Sequence, residues 1–167
     1  MTTALTHVVP DDAWHAPSPA QLNAALAFVS DNLHADTNAK LGEALPGAYL
    51  SPETRFAAVC PACHAELDFY QFTDSLGDAY DAADASTRSL PYKASCCGTV
   101  VQATDFDFPI TWANERPDEP DWQNYKVAAF ARADLCLWEF PRLLSARERD
   151  QIGALLGCPI KLVWYGI

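Results

Sequence analysis

The chain has 167 residues, half of them hydrophobic and 20% charged, which fits one soluble domain whose core can form without staples. Eleven Lys and Arg stand against 22 Asp and Glu, a net charge of −11. Such an acidic surface repels nucleic-acid backbones and anionic membranes and favours a basic partner. No apolar run reaches the roughly 20 residues that cross a bilayer, and residues 1–7 lack the basic start of a signal peptide, so a cytoplasmic protein is expected.

In chain order, Leu5 to Val9 reads as a short strand ended by Pro10. A helix over 19–34 follows, with Ser18 as N-cap, Pro19 at its first position and Gln21 completing a capping box. Leu22, Ala25, Leu26, Val29 and Leu33 recur on one face of it. Pro46, Gly47 and Pro52 punctuate a loop, and Arg55 to Val59 reads as a strand running into Cys60. Residues 60–104 look like an insertion, with a strand near Leu67 and a helix over 74–84 capped by Thr73 or Asp74. Residues 105–124 form an acidic, Pro-rich loop expected to lie outside the core. Lys126 to Trp138 alternates as one long strand, with Val127, Ala129, Ala131, Leu135 and Leu137 turned toward the helices. Ser145 and Glu148 make a second capping box, Gly157 ends that helix, and Ile160 to Tyr165 is the last strand. The order strand, helix, strand, insertion, strand, helix, strand predicts a single α+β domain over 1–167. Its expected form is a ferredoxin-like split β-α-β sandwich, with the insertion in its central hairpin.

Cys60-Pro61-Ala62-Cys63 places two sulfurs on one tight turn, and Cys96-Cys97-Gly98 supplies a second pair after a gap of 32 residues. Two such turns meet the four-ligand need of a structural zinc, so a zinc-ribbon-like site is expected. Adjacent cysteines point differently, and His64 is the rival of Cys97 for the fourth position. Four protein ligands leave no place for water, so the metal would be structural rather than catalytic. Cys136 and Cys158 read as core thiols. No phosphate loop, His-Glu-x-x-His or Gly-x-Ser-x-Gly is present, which argues against an enzyme.

Residues 66–121 hold 12 acids and three bases, so nearly all of the net charge sits there. Trp112 and Trp122 are interleaved with Glu115, Asp118, Glu119 and Asp121, a pattern suited to a protein interface with a basic partner.

The two cysteine motifs, the Asp107-Phe108-Pro109 step, the Ala129-Phe130-Ala131-Arg132 run and the ending from Leu156-Gly157-Cys158-Pro159 to Val163-Trp164 resemble a largely uncharacterised group of small actinobacterial proteins. The resemblance covers roughly 100 residues, and it implies that Cys60, Cys63, Cys96 and Cys97 act as one ligand set. The chain departs from the group in the acidic stretch 113–124 and in His64, where glycine is usual. The leading expectation is a non-enzymatic cytosolic protein-binding protein with structural zinc, in its specific form an immunity protein or inhibitor of a basic toxin. Two alternatives stand beside it. One is a small enzyme using Asp105, Asp107 or His64 near the metal. The other, a zinc-ribbon nucleic-acid binder, is opposed by the charge.

Overall fold

The computed structural model describes residues 4–51 and 55–166. In chain order the elements are β1 (Ala4–Pro10), α1 (Pro19–Asn32), β2 (Asp36–Leu41), β3 (Gly47–Leu50), β4 (Ala58–Val59), β5 (Glu66–Leu67), α2 (Phe69–Asp74) and α3 (Leu76–Asp81). They continue with β6 (Pro91–Lys93), β7 (Val100–Gln102), β8 (Tyr125–Lys126), β9 (Ala128–Ala131), β10 (Ala133–Trp138), α4 (Ala146–Leu156) and β11 (Ile160–Gly166). The fold is α+β, built on a mixed five-stranded sheet in the order β2-β10-β1-β11-β8. Pairs among the first four strands of that order are antiparallel, and β8 lies parallel to β11.

Both long helices start as the sequence indicates. Ser18 Oγ accepts from the Gln21 amide while Gln21 Oε1 accepts from the Ser18 amide, at 3.1 and 2.8 Å. Ser145 and Glu148 repeat the exchange on α4, and Arg142 donates to both Glu148 oxygens at 2.8 and 2.7 Å. Gly157 ends α4 at φ 72°, a left-handed conformation that favours glycine, and the end of the Gln21 side chain of α1 lies against it.

The sheet is buried on both faces. Val8, Leu135, Leu137 and Leu162 share one cluster with Leu22, Ala25 and Val29 of α1 and Ile152 and Leu156 of α4. Val9 and Val163 point the other way and meet Ala129 and Ala131 of β9, with Tyr49 beside them. Strand β9 is held by antiparallel pairing with β3.

Five expectations are corrected. The strand paired with β10 is Asp36–Leu41, not Arg55 to Val59; only Ala58–Val59 of the latter is strand, and it pairs with β5. Asp36–Leu41 is polar and half-exposed, so it carries no apolar signature. Lys126 to Trp138 is not one strand but three, interrupted at Val127 and Arg132. The chain must pass from the outer edge beside β11 to the interior between β1 and β2, and β9 makes that crossing over the sheet face. Ala129 and Ala131 therefore lie on the face away from the helices. The helix expected over 74–84 is two short ones meeting at Ser75, and its start is capped by Asp68, which accepts from the Gln71 amide at 2.8 Å. The loop over 105–124 is not outside the core. Trp122 is 6% exposed and packs on Trp112, Trp164 and Tyr125 with ring centroids 4.4, 4.9 and 5.5 Å apart. Gly47 lies in β3 rather than a loop, and Pro52 falls outside the described residues.

One polar pair is built into the face of the sheet opposite the long helices. His7 of β1 stands across from Cys136 of β10, and its Nδ1 lies 2.9 and 3.0 Å from the two carboxylate oxygens of Asp134. The rings of Tyr49 and Tyr165 flank it, at 5.2 and 6.2 Å. Burial works against a charged ring, but the hydrogen bonds to Asp134 and Cys136 outweigh it and raise the His7 pKa from 6.5 to about 9. A pKa raised on folding stabilises the fold fully below pH 6.5, and that contribution is lost as pH rises through 9. Unfolding free energies from urea denaturation should therefore fall between pH 6.5 and 9.5, by an amount on the order of 1–3 kcal/mol. Asp134→Asn should flatten that decline, as measured by chemical denaturation across the range.

Candidate metal centre

Cys60, Cys63, Cys96 and Cys97 come together with all four sulfurs within 4.8 Å of one another. Two matching turns place them. In the first, between β4 and β5, the Cys60 amide donates to the Ala65 carbonyl at 2.9 Å and the His64 amide donates to the Cys60 carbonyl at 2.9 Å. In the second, between β6 and β7, the Ala94 amide donates to the Thr99 carbonyl at 3.0 Å and the Gly98 amide donates to the Ala94 carbonyl at 2.7 Å. The bonding is the same, residue for residue. Cys60 corresponds to Ala94, Cys63 to Cys97, and His64 to Gly98.

The correspondence explains the ligand set. Cys63 and Cys97 occupy equivalent positions on the two turns. The second turn has alanine where the first has Cys60, and Cys96, two residues along, supplies the missing sulfur. His64 and Gly98 both adopt the left-handed conformation that closes the turn, at φ 62° and 71°. His64 is exposed and is not one of the four clustered donors. Its place in the turn is a backbone role, and glycine would fill it with less strain.

Cys60 is buried and the other three cysteines are exposed, so the cluster sits at the tips of two hairpins with its base in the core. Cys63 and Cys96 sulfurs are 3.3 Å apart. A tetrahedral ion with about 2.3 Å bonds to sulfur needs edges of about 3.8 Å, so small side-chain adjustments suffice. Hydrogen bonds from the side chain and backbone of Thr99 lower the Cys97 pKa to about 7. Desolvation among the sulfurs, then hydrogen bonding with Cys63 and Cys60, raises Cys96 to about 12. Of these two adjacent thiols, Cys97 thus gives up its proton the more readily. The four-cysteine cluster can hold a metal ion.

No family model, curated protein or solved structure matches the chain. The reading of the site therefore rests on its own geometry.

The other singled-out residues fall differently. Trp122 is buried, and its indole donates to Glu119 at 2.5 Å. Trp112 is half-buried, with the Arg116 guanidinium 5.4 Å from its ring centre. Glu115 pairs with Arg55 at 2.8 Å and Asp121 with Arg149 at 3.2 Å. Asp107 pairs with Lys126 at 2.7 Å, and Asp105 is exposed. Asp118 is exposed and makes no ion pair among the described residues. Sequence reasoning missed the His7, Asp134 and Cys136 group. His7 and Asp134 lie 127 residues apart, and only an acid alternating with a thiol in a core strand hinted at it.

Loaded with zinc, the protein should bind about one ion per chain, counted by elemental analysis. Cys63→Ser and Cys97→Ser should each weaken binding by more than tenfold. His64→Gly should leave stoichiometry unchanged and raise stability by roughly 1 kcal/mol, because it relieves a left-handed non-glycine residue. Loss of the ion from His64→Gly would make His64 a ligand.

Proposed function

We propose that this chain is a non-catalytic protein-binding protein, with structural zinc on Cys60, Cys63, Cys96 and Cys97 and an acidic face that recognises a basic protein. The order β2-β10-β1-β11, with α1 and α4 as its crossing helices, supports reading the core as a ferredoxin-like sandwich. The paired knuckles support reading residues 60–104 as a zinc-ribbon-like insertion within it. Four thiolates close the coordination of a zinc ion and leave no site for substrate.

The observation that carries the partner reading is the state of the acids. Glu66, Asp68, Asp74, Asp78, Asp81 and Asp84 are all exposed, and none makes an ion pair among the described residues. The acids at 115, 119 and 121 are instead engaged with Arg55, Arg116 and Arg149. This moves the proposed interface from the loop to the insertion, along α2 and α3. Tyr70 is 76% exposed and Val100 63%, so the apolar anchors lie there too. A groove of about 590 Å³ runs between α3 and the β6–β7 hairpin, lined by Asp78, Ala82, Pro91, Lys93 and Val100. An inhibitor of a basic toxin such as a nuclease is the specific form of this reading, because clustered carboxylates compete with phosphate for a cationic surface. No described helix is long and apolar enough to cross a membrane, which agrees with a partner met in solution.

Affinity capture followed by cross-linking and mass spectrometry tests the reading. Cross-links should fall on residues 66–100 and join them to a basic protein. Asp74→Asn, Asp78→Asn and Asp81→Asn together should slow association and reduce its salt dependence. Contacts confined to α4 and β11 would refute it.

A second reading, an enzyme, is favoured by one observation: His7 lies between a carboxylate and a thiol on the sheet face. Cys136 is 3% exposed, so under the binding-protein reading iodoacetamide should leave it untouched in the folded chain. Rapid alkylation of Cys136 that His7→Ala abolishes would favour the enzyme.

A further inference from the structure

Strand β2 is an edge of the main sheet, and its outer side has no strand partner among the described residues. Six residues of open edge are a template for pairing, and proteins usually blunt such edges with proline, bulges or a covering element. Asp36-Thr37-Asn38-Ala39-Lys40-Leu41 has no proline or glycine. Two of the four large hydrophobic side chains that are exposed lie at this edge: Leu41 at 46%, and Trp138, directly across from Asp36, at 45%.

The charges of the strand are self-complementary. Asp36, Asn38 and Lys40 lie on one face, and Thr37, Ala39 and Leu41 on the other. Neither Asp36 nor Lys40 makes an ion pair among the described residues. Antiparallel pairing of β2 with a second β2, about a twofold axis at Asn38, puts Asp36 opposite the partner's Lys40 and Lys40 opposite the partner's Asp36. The same register sets Thr37 against the partner's Ala39 and Leu41 against the partner's Ala35. A shift of two residues in either direction loses both ion pairs, so charge selects one register.

We propose that β2 pairs with β2 of a second copy of this chain, making a continuous ten-stranded sheet across a twofold axis. The acids that dominate the net charge lie in residues 66–121, while β2 itself is neutral, so the edge does not carry the repulsion between copies. A single edge buries less than the roughly 1,200–2,000 Å² of a stable interface, and the expected dissociation constant is on the order of 1–100 μM. The proposal does not depend on the metal or on the partner described above.

Sedimentation equilibrium of the zinc-loaded full chain, with a non-thiol reductant to prevent disulfide cross-links, tests it from about 1 to 500 μM, bracketing the expected range. The wild type should move from monomer to dimer over that range. Lys40→Asp sets acid against acid on both sides of the axis and should weaken the dimer at least tenfold. Asp36→Lys combined with Lys40→Asp restores complementarity and should return affinity to within a few-fold of wild type. Both changes are on exposed side chains, and far-UV circular dichroism checks that the fold is kept. A wild type that stays monomeric at the highest concentration overturns the proposal. So does a dimer that Lys40→Asp leaves unchanged, which would place the contact elsewhere.

Discussion

Strand β1 has a bonded neighbour on each edge and packed side chains on each face. Val8 is 1% exposed toward the helices and Val9 fully buried toward β9. A strand with no solvent face cannot alternate polar and apolar residues, and whatever polar group it carries must find a partner inside. His7 is one such group, and Asp134 is its partner. The rest of the main sheet is arranged around this enclosure: β10 and β11 flank the strand, α1 and α4 cover one side, and β9 crosses the other.

The insertion is organised by a different interaction. Phe72 sits at the centre of an aromatic cluster, with Tyr92, Phe106 and Phe108 at 5.1, 5.1 and 5.2 Å. The Tyr92 hydroxyl donates to the Phe72 carbonyl at 2.8 Å, which fixes β6 against α2. The two knuckles project from this cluster, so its packing brings the hairpins near each other and the sulfurs complete the approach. An ion held by four thiolates adds further negative charge to an already acidic unit. The favourable term that holds the unit together is thus apolar burial, not charge balance, and a bound ion would add coordination bonds to it.

Much of this was legible in the chain. Capping boxes, the left-handed Gly157 and the cysteine spacing are local signals, each decided within a few residues. Strand β2 was not legible, because an edge strand that is polar and half-exposed looks like loop. The unassigned stretch between α1 and Arg55 was itself a hint, since compact domains seldom contain structureless loops that long. The break of residues 126–138 into three pieces was hidden because every alternate residue is apolar, and period alone does not say that pairing partners change. Trp122 was misread for a related reason: among acids and prolines an aromatic looks like a surface anchor, while here it fills the space beside Trp164. For the fourth donor the chain left Cys97 and His64 open, and only the identity of the two turns separates them.

The pairing of β1 bears on how the chain is made. Leu5 meets Trp138 on one side and Tyr165 on the other, so the strand at the centre of the sheet has no bonded neighbour within its first hundred residues. During synthesis the amino-terminal segment must wait, with β1 and the apolar stripe of α1 uncovered, until the carboxyl-terminal third emerges. The insertion, whose contacts are mostly local, can meanwhile close on its own aromatic cluster. Ribosome-bound chains from which residue 108 has emerged but residue 133 has not would therefore hold a folded knuckle pair beside an unfolded sheet, and release of the last strand would be the event that commits the molecule.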